Sequence, residues 1–426
     1  MKIVVFENDR FDLLYPLTYL RPVFDLRCGA MTLRQKIQEK FPDCELHLET
    51  RDVIAPVARD TYGAGAINNK ERLAANDDVL LVDAGAIFTG AAADYTRKEF
   101  VAATPDGDFI WAYLTAETVR GLAAGSAREM AARAAESIIP EPSDDILVKY
   151  PWDLVNANPG QIEADFQRLY AGKASAPLDP GVHVWEGEGR LFVSPEAEVQ
   201  PATFIDCREG PVVIEAGARI LAHCSIQGPA FIGRDSYLFE ARIREGTTIG
   251  PVCRIGGEIE ESIVHGYANK CHTGFLGHAY VGEWVNLGAL TTNSDLKNDY
   301  STVSVYVNGK ATDTGSMKVG SFIGDHSKTS IGTLLNTGSN IGIMCNLMAG
   351  ASVLPKYIPS FCWYLEGRIS KGLGLAAALD TARAAMGRRG VELTVAMIEL
   401  IKYTEELTRE DKMTKVKRDR KKAFKR

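Results

Sequence analysis

The sequence has no apolar run approaching the ~20 residues that cross a bilayer, which excludes a helical membrane protein. It also lacks a CxxC pair: its eight cysteines (Cys28, Cys44, Cys207, Cys224, Cys253, Cys271, Cys345, Cys362) are scattered. Scattered cysteines in a long chain imply reduced thiols, several of them core filler, and exclude a disulfide framework. Met1–Arg10 has no basic n-region, no long apolar core and no small-residue cleavage site, so it reads as a buried strand and not as a signal peptide. The expected compartment is the cytoplasm. Positive charge is scarce except at one end. The net charge is −7, yet Lys412–Arg426 alone carries nine Lys/Arg and one Asp, a local +8 that leaves −15 on the remainder. An acidic body speaks against a nucleic-acid binder. The basic end reads as a solvated, partly disordered tail, with contact to RNA or anionic lipid as the other reading.

What the chain does have is a beat of six. Val193, Val199 and Ile205 keep it; so do Ile214, Ile220, Ile226, Ile232 and Leu238. Ile243, Ile249 and Ile255 follow a one-residue slip, then Phe275, Val281 and Leu287, then Ile323, Thr329, Leu335, Ile341, Leu347 and Val353. Six matches neither a helix, at about 3.6, nor an alternating strand, at about 2. It matches a hexapeptide parallel β-helix, in which each hexad is a short strand plus a turn and the residue on the beat points inward. Before this stretch, strands are predicted at Ile3–Phe6, Glu45–Leu48, Val79–Val82 and Phe109–Leu114, and helices at Leu33–Phe41, Ala116–Ile138 and Ile162–Tyr170. That alternation predicts an α/β domain with a mainly parallel sheet, whose ligands sit beyond the carboxyl ends of its strands. Beyond Pro359 the period turns helical, at Gly374–Met386 and Val391–Leu407, and such helices cap the open end of a repeat array or pack between subunits. The expected division is residues 1–180, 181–360 and 361–426, with Ala171–Pro180 as the linker.

Several motifs carry a resemblance. Leu14-Tyr15-Pro16-Leu17-Thr18 followed by Arg21-Pro22 resembles the start of sugar-1-phosphate nucleotidyltransferases. Pro16–Gly29, Trp152-Asp153-Leu154, Asn269–Ala289, Ser294–Ser301 and Gly324–Thr329 together resemble a divergent branch of that group, related to the bacterial bifunctional N-acetylglucosamine-1-phosphate uridyltransferase/glucosamine-1-phosphate acetyltransferase. The resemblance spans nearly all of the chain up to about Ser370. It implies a nucleotidyltransferase-like α/β domain, then a left-handed parallel β-helix, then C-terminal helices. It further implies a transferase making UDP-N-acetylglucosamine or a related nucleotide sugar, with acetyl-CoA and UTP or another nucleoside triphosphate as co-substrates, Mg²⁺ as cofactor, a sugar phosphate as ligand and a homotrimer built through the β-helix.

The same resemblance assigns residues. Asp83, at the end of an apolar strand, and Asp153, with Asn156 and Asn158 nearby, would hold the metal. Here the chain departs from its relatives: Glu7-Asn8-Asp9-Arg10-Phe11-Asp12 stands in place of a glycine-rich loop, and Val23 stands where a lysine is expected. Without glycine, backbone N–H groups do not all close on a triphosphate, so Arg10, Arg21 and Arg27 are the candidates for phosphate. A domain that no longer transfers nucleotides is the other reading. In the solenoid, His272 falls where the relatives have a general base, and an imidazole near pKa 6.5 suits deprotonation of an amine near neutrality. Phe275, Asn286, Lys270, Lys297 and Asn298 (with Asp299) are the candidates for the sugar phosphate. Lys328 (or Lys356) and the backbone near Gly332, Thr333 and Ala349 are the candidates for CoA. Four histidines (His265, His272, His278, His326) raise a metal cage as an alternative, but their spacing forms no zinc motif. The polar stretch between Leu287 and Val319 interrupts the beat and reads as an extruded loop that closes over the acceptor or reaches a neighbouring subunit. One active domain, or a regulatory or assembly subunit, completes the alternatives.

Overall fold

The computed structural model describes residues 1–69, 77–96, 98–122, 124–350, 352–365 and 367–423. The chain separates into two units. One comprises Met1–Leu14, Leu20–Leu26 and Met31–Tyr150; the other comprises Tyr15–Tyr19, Arg27–Ala30 and Pro151–Arg426. This differs from the expected three-part division. The helix Pro151–Leu169 and the C-terminal helices are counted with the solenoid, and so are two short pieces of the Pro16–Gly29 motif.

The first unit is built on buried strands at the expected places: Lys2–Phe6, Leu46–Glu49, Val79–Asp83 and Phe109–Leu114. Lys2–Phe6 pairs in parallel with both Leu46–Glu49 and Val79–Asp83. Phe109–Leu114 runs antiparallel to Val79–Asp83 and to Phe100–Ala103, while Phe100–Ala103 pairs in parallel with Glu141–Pro142, so the sheet is mainly parallel, as expected, with one reversed strand. The helix expected over Ala116–Ile138 is two, Ala116–Leu122 and Ala127–Ser137. The second begins at a cap of its own, where the Ser126 side chain accepts the Glu129 N–H, a helix start the alanine-rich pattern concealed.

The second unit is a β-solenoid of about 10 turns over residues 183–365. Three parallel ladders make its faces. On face A, Glu198, Arg219, Tyr237, Arg254, Asn269, Asn286, Lys328, Asn346 and Trp363 stand in one continuous register. The residue after each turns inward: Ile220, Leu238, Ile255, Leu287 and Leu347 are all buried. Face B takes Phe204–Asp206, Ser225–Gln227, Phe275–Gly277 and Leu334–Leu335, and face C takes Val212–Ile214, Ala230–Ile232, Tyr280–Val281, Ser321–Ile323 and Ser339–Ile341. Burying apolar side chains at about 25 cal/mol per Å² is what holds such a column together. Cys207, Cys224, Cys253, Cys345 and Cys362 are part of that core.

The beat slips at three places. Leu276, not Phe275, faces inward, because Ile259 pairs with Leu276. Leu354 replaces Val353, which is 53% exposed while Leu354 is 2%. The third is Lys270, which occupies an inward position opposite Ile255.

The C-terminal end is a correction too. The helix Val395–Ala423 runs through most of the basic stretch expected to be a solvated, partly disordered tail. Val416 is buried in the solenoid core, Ile369 donates its N–H to Asp419 at 3.0 Å, and Lys412 pairs with Glu405 at 2.5 Å. The helix therefore plugs the end of the array, as terminal elements of repeats must. Val416→Ala deletes two buried methyl groups, so the unfolding midpoint in urea should drop by the equivalent of about 2 kcal/mol. Among the described residues, no helix is long and apolar enough to cross a membrane.

Candidate functional site

His272 lies on the A–B corner of its coil, between Asn269–Lys270 and Phe275–Gly277, and its side chain is exposed. The full-length corner Cys271–Gly274 rests on a shortened one. In the coil below, only Gly256, Gly257 and Glu258 separate the inward Ile255 from the inward Ile259. Both glycines are required by contact. A Cβ on Gly256 would come within 2.1 Å of the Cys271 carbonyl oxygen, and one on Gly257 within 2.7 Å of the Gly274 carbonyl oxygen. On the coil above, the Asn269 amide donates to Asn286 Oδ1 at 2.6 Å, and Asn286 bridges on to Lys328. His272, Phe275, Asn286, Lys328 and Gly332 are thus gathered on neighbouring coils of faces A and B. A Cβ on Gly332 would meet nothing within 4 Å, so the wall beside it is open.

Other expected residues are placed differently. Lys270 is 3% exposed, and its ammonium donates to the carbonyls of Gly256 (2.8 Å), His272 (3.2 Å) and Gly274 (2.8 Å). It faces protein and not a sugar phosphate, and burial pushes its pKa down to about 8. Thr333 and Ala349 are buried, and the Thr333 carbonyl already accepts the Thr292 N–H at 2.9 Å. Lys328 donates to the His326 carbonyl at 2.8 Å, and burial pushes it down to about 8 as well. It also lines a cleft with Asn346 and Trp363 that Gly374 and Leu375 help to enclose; the sequence hid this cleft because it needs the C-terminal helix to be docked.

The extruded loop leaves from the B–C corner, not from the corner of His272. Its hairpin, Ser304–Val307 with Lys310–Asp313, lies against face C, where Asn340 donates to the Tyr306 carbonyl at 2.9 Å and the Tyr306 and Tyr357 rings are 4.5 Å apart. Lys297 donates to Ser301 Oγ at 2.9 Å within the loop, and Asn298 is exposed. At the root of this loop is a cluster missed from sequence. His278 is 5% exposed, bonded through Nδ1 to Asp295 at 2.8 Å and through Nε2 to Glu261 at 3.0 Å. Burial alone would lower its pKa, but the two carboxylates outweigh burial and push it up to about 9.

The four histidines do not converge. His265 bonds the Tyr280 hydroxyl at 2.9 Å, and His326 stacks on Trp284 at 6.1 Å. Among the described residues, the group of potential metal ligands close enough together is Glu245, Glu260 and Glu261. Their charge is met by Arg244 at 2.9 Å from Glu260 and by His278.

In the first unit, Asp83 is buried at its strand end and accepts the Gly85 N–H at 2.8 Å and the Asn8 amide, with Arg10 3.9 Å away. Burial pushes its pKa up to about 6 against these donors. Arg10 also pairs with Asp108, which pairs in turn with Lys149. Glu7 is buried and accepts the Val23 N–H at 2.8 Å and the Arg51 guanidinium at 3.1 Å, so it ties down the start of the segment Glu7–Asp12. Arg21 is buried, and its carbonyl accepts from Arg51 at 3.1 Å. Arg27 belongs to the second unit, where it donates to the carbonyls of Ala30 (2.6 Å) and His265 (3.3 Å). Asp153 is half-buried in that unit, near the start of the helix Pro151–Leu169. Asp83 falls in the first unit and Asp153 in the second, and Arg10 supplies a cation beside Asp83.

Residues 3–174 match the family described as sugar nucleotidyl transferase. The chain is 33% identical over 205 residues to a bifunctional sugar-1-phosphate nucleotidylyltransferase/acetyltransferase of Sulfurisphaera tokodaii, covering 48% of this chain and 44% of that protein. It is 32% identical over 135 residues to the bifunctional protein GlmU of Thermus thermophilus, covering 30% and 29%. The chain thus spans less than half the length of these curated relatives. Among solved structures, a Francisella novicida UDP-N-acetylglucosamine acyltransferase is similar over 50% of this chain and 73% of that one, at 13% identity and a TM-score of 0.23. Residues 3–174 thus match the sugar nucleotidyl transferase family, and the chain is similar over part of its length to bifunctional nucleotidyltransferase/acetyltransferases.

Proposed function

We propose that the chain is a cytoplasmic bifunctional transferase that acetylates an amino-sugar-1-phosphate from acetyl-CoA and couples a sugar-1-phosphate to UTP or another nucleoside triphosphate. The observation that carries the acetyl-transfer half is the exposed ring of His272 on a solenoid corner, with the Asn286 amide on the next coil. His272 takes a proton from the sugar ammonium, and the freed amine attacks the thioester carbonyl. The C–S bond then breaks, the nitrogen releases its second proton to solvent, and the thiolate leaves with the proton returned by the imidazolium. Asn286 and Phe275 line the acceptor side; Lys328 and the open wall at Gly332 take the CoA. Lys297 and Asn298 stand on another corner, so they join this site from a neighbouring copy in a homotrimer.

In the N-terminal unit the sugar-phosphate oxygen attacks the α-phosphate and pyrophosphate leaves. Arg10 and Lys149 offer the positive charge that positioning and electrostatic stabilisation require. A second reading, in which only the solenoid is active, has its own support: Glu7 and Arg51 tie down the phosphate-loop segment, and Arg10 is already matched by Asp83 and Asp108.

The test is a pair of assays on the full chain. Thiol release from acetyl-CoA with glucosamine-1-phosphate is expected. Pyrophosphate release is expected when Mg²⁺, a nucleoside triphosphate and a hexose-1-phosphate are supplied together. Thiol release without pyrophosphate from any pair would leave the solenoid-only reading, and neither product would remove the enzyme reading altogether.

A further inference from the structure

Lys270 stands where the inward column of face A has Ile220, Leu238 and Ile255 below it and Leu287 and Leu347 beyond. An apolar side chain would continue that column without the desolvation that a buried ammonium costs. The local geometry shows what the ammonium does instead. The corner below is shortened to Gly256, Gly257 and Glu258; the corner above it, Cys271–Gly274, is full length. The mismatch leaves three carbonyls, those of Gly256, His272 and Gly274, turned toward one point, and Lys270 Nζ occupies it. An ammonium has three N–H donors, and all three carbonyls lie within hydrogen-bond distance. The same corner is held from above: Gly274 has φ +139°, and a Cβ there would lie 2.2 Å from the Thr291 carbonyl oxygen.

We propose that Lys270 is a positioning residue, whose ammonium locks the His272 and Gly274 carbonyls onto that of Gly256 and so sets where the His272 ring stands on the solenoid wall. This rests on the acetyl-transfer reading for its consequence in catalysis, but not for its structural content. Catalytic geometry is sensitive at this scale, since a misplacement of ~1 Å can cost on the order of 10²-fold in rate.

Lys270→Met keeps an unbranched side chain one atom shorter, suits the apolar column and removes the donors. Two measurements on the full-length variant decide the matter. By hydrogen–deuterium exchange with mass spectrometry, peptides covering Cys271–Gly274 should exchange faster than in the parent, while peptides from distant coils stay unchanged. In the thiol-release assay, kcat should fall by on the order of 10²-fold, with KM for acetyl-CoA little altered. Unchanged exchange at the corner would overturn the proposal whatever the activity. Faster exchange throughout the solenoid would overturn it as well, since Lys270 would then be a general fold determinant. Localised faster exchange with kcat intact would refute the catalytic consequence. If His272→Ala also retains full activity, the general-base reading fails, while the exchange result still reports on Lys270.

Discussion

His272→Ala should lower thiol release from acetyl-CoA by roughly 10²–10⁴-fold while leaving the solenoid folded, the range expected for loss of a general base. The fold should survive because the side chain is exposed and its corner is held by contacts that do not use the ring: the glycine pair below, Thr291 above and Lys270 between them. The loss should appear in kcat, since deprotonation of the amine belongs to the transition state and not to binding. Circular dichroism and the unfolding midpoint report the fold, and the thiol assay reports the chemistry. A variant that releases thiol at the parent rate would show that the base lies elsewhere.

His278→Leu should act on stability. It removes the imidazole between Asp295 at 2.8 Å and Glu261 at 3.0 Å and leaves two carboxylates near one another at the root of the extruded loop. Breaking a buried ion pair typically costs about 3–5 kcal/mol; because Glu261 is partly exposed, roughly 2–3 kcal/mol is expected here. The pH dependence has a definite sign. The folded pKa of His278 is about 9, above the unfolded value near 6.5. Its contribution is therefore complete below ~6.5 and is lost as pH rises through about 9. The parent should lose stability across that window, and His278→Leu should be flatter there, as measured by urea midpoints taken at intervals of pH. Parallel curves for the two proteins would show that His278 is not protonated in the fold.

Most of the solenoid was legible because its core positions are aliphatic and regularly spaced: Ile214, Ile220, Ile226, Ile232, Leu238, Ile243, Ile249 and Ile255 all turn inward. The pattern misled where a polar residue took an inward place. With Lys270 on the beat, the count passed to Phe275 when Leu276 was the buried residue, and a turn of different length moved Val353 outward in favour of Leu354. The one-residue slip before Ile243 was visible, but the shortened corner between Ile255 and Ile259 beneath His272 was not, since that depends on which corners stack. The same holds for Glu261–His278–Asp295 and for Arg10 with Asp83 and Asp108, whose members lie far apart in the chain and meet only through pairing of strands and loops. The C-terminal helices and their capping role were legible, but the continuation of the last one to Ala423 was hidden by its charge. Val416 is one apolar residue in a basic stretch, and only the face it presents to the core reveals its role.

At the far end of the solenoid, Trp363–Leu365 pairs in parallel with Asn346–Met348 on one side and antiparallel with Arg368–Ser370 on the other. A strand of reversed direction cannot serve as the template for another coil laid down in the forward sense, and Ile369 is in turn engaged by Asp419. Uncovered strand edges invite end-to-end growth into fibrils. By turning this strand around and engaging it with Asp419 of the last helix, the chain takes away that ladder as a ledge on which a neighbour could polymerise.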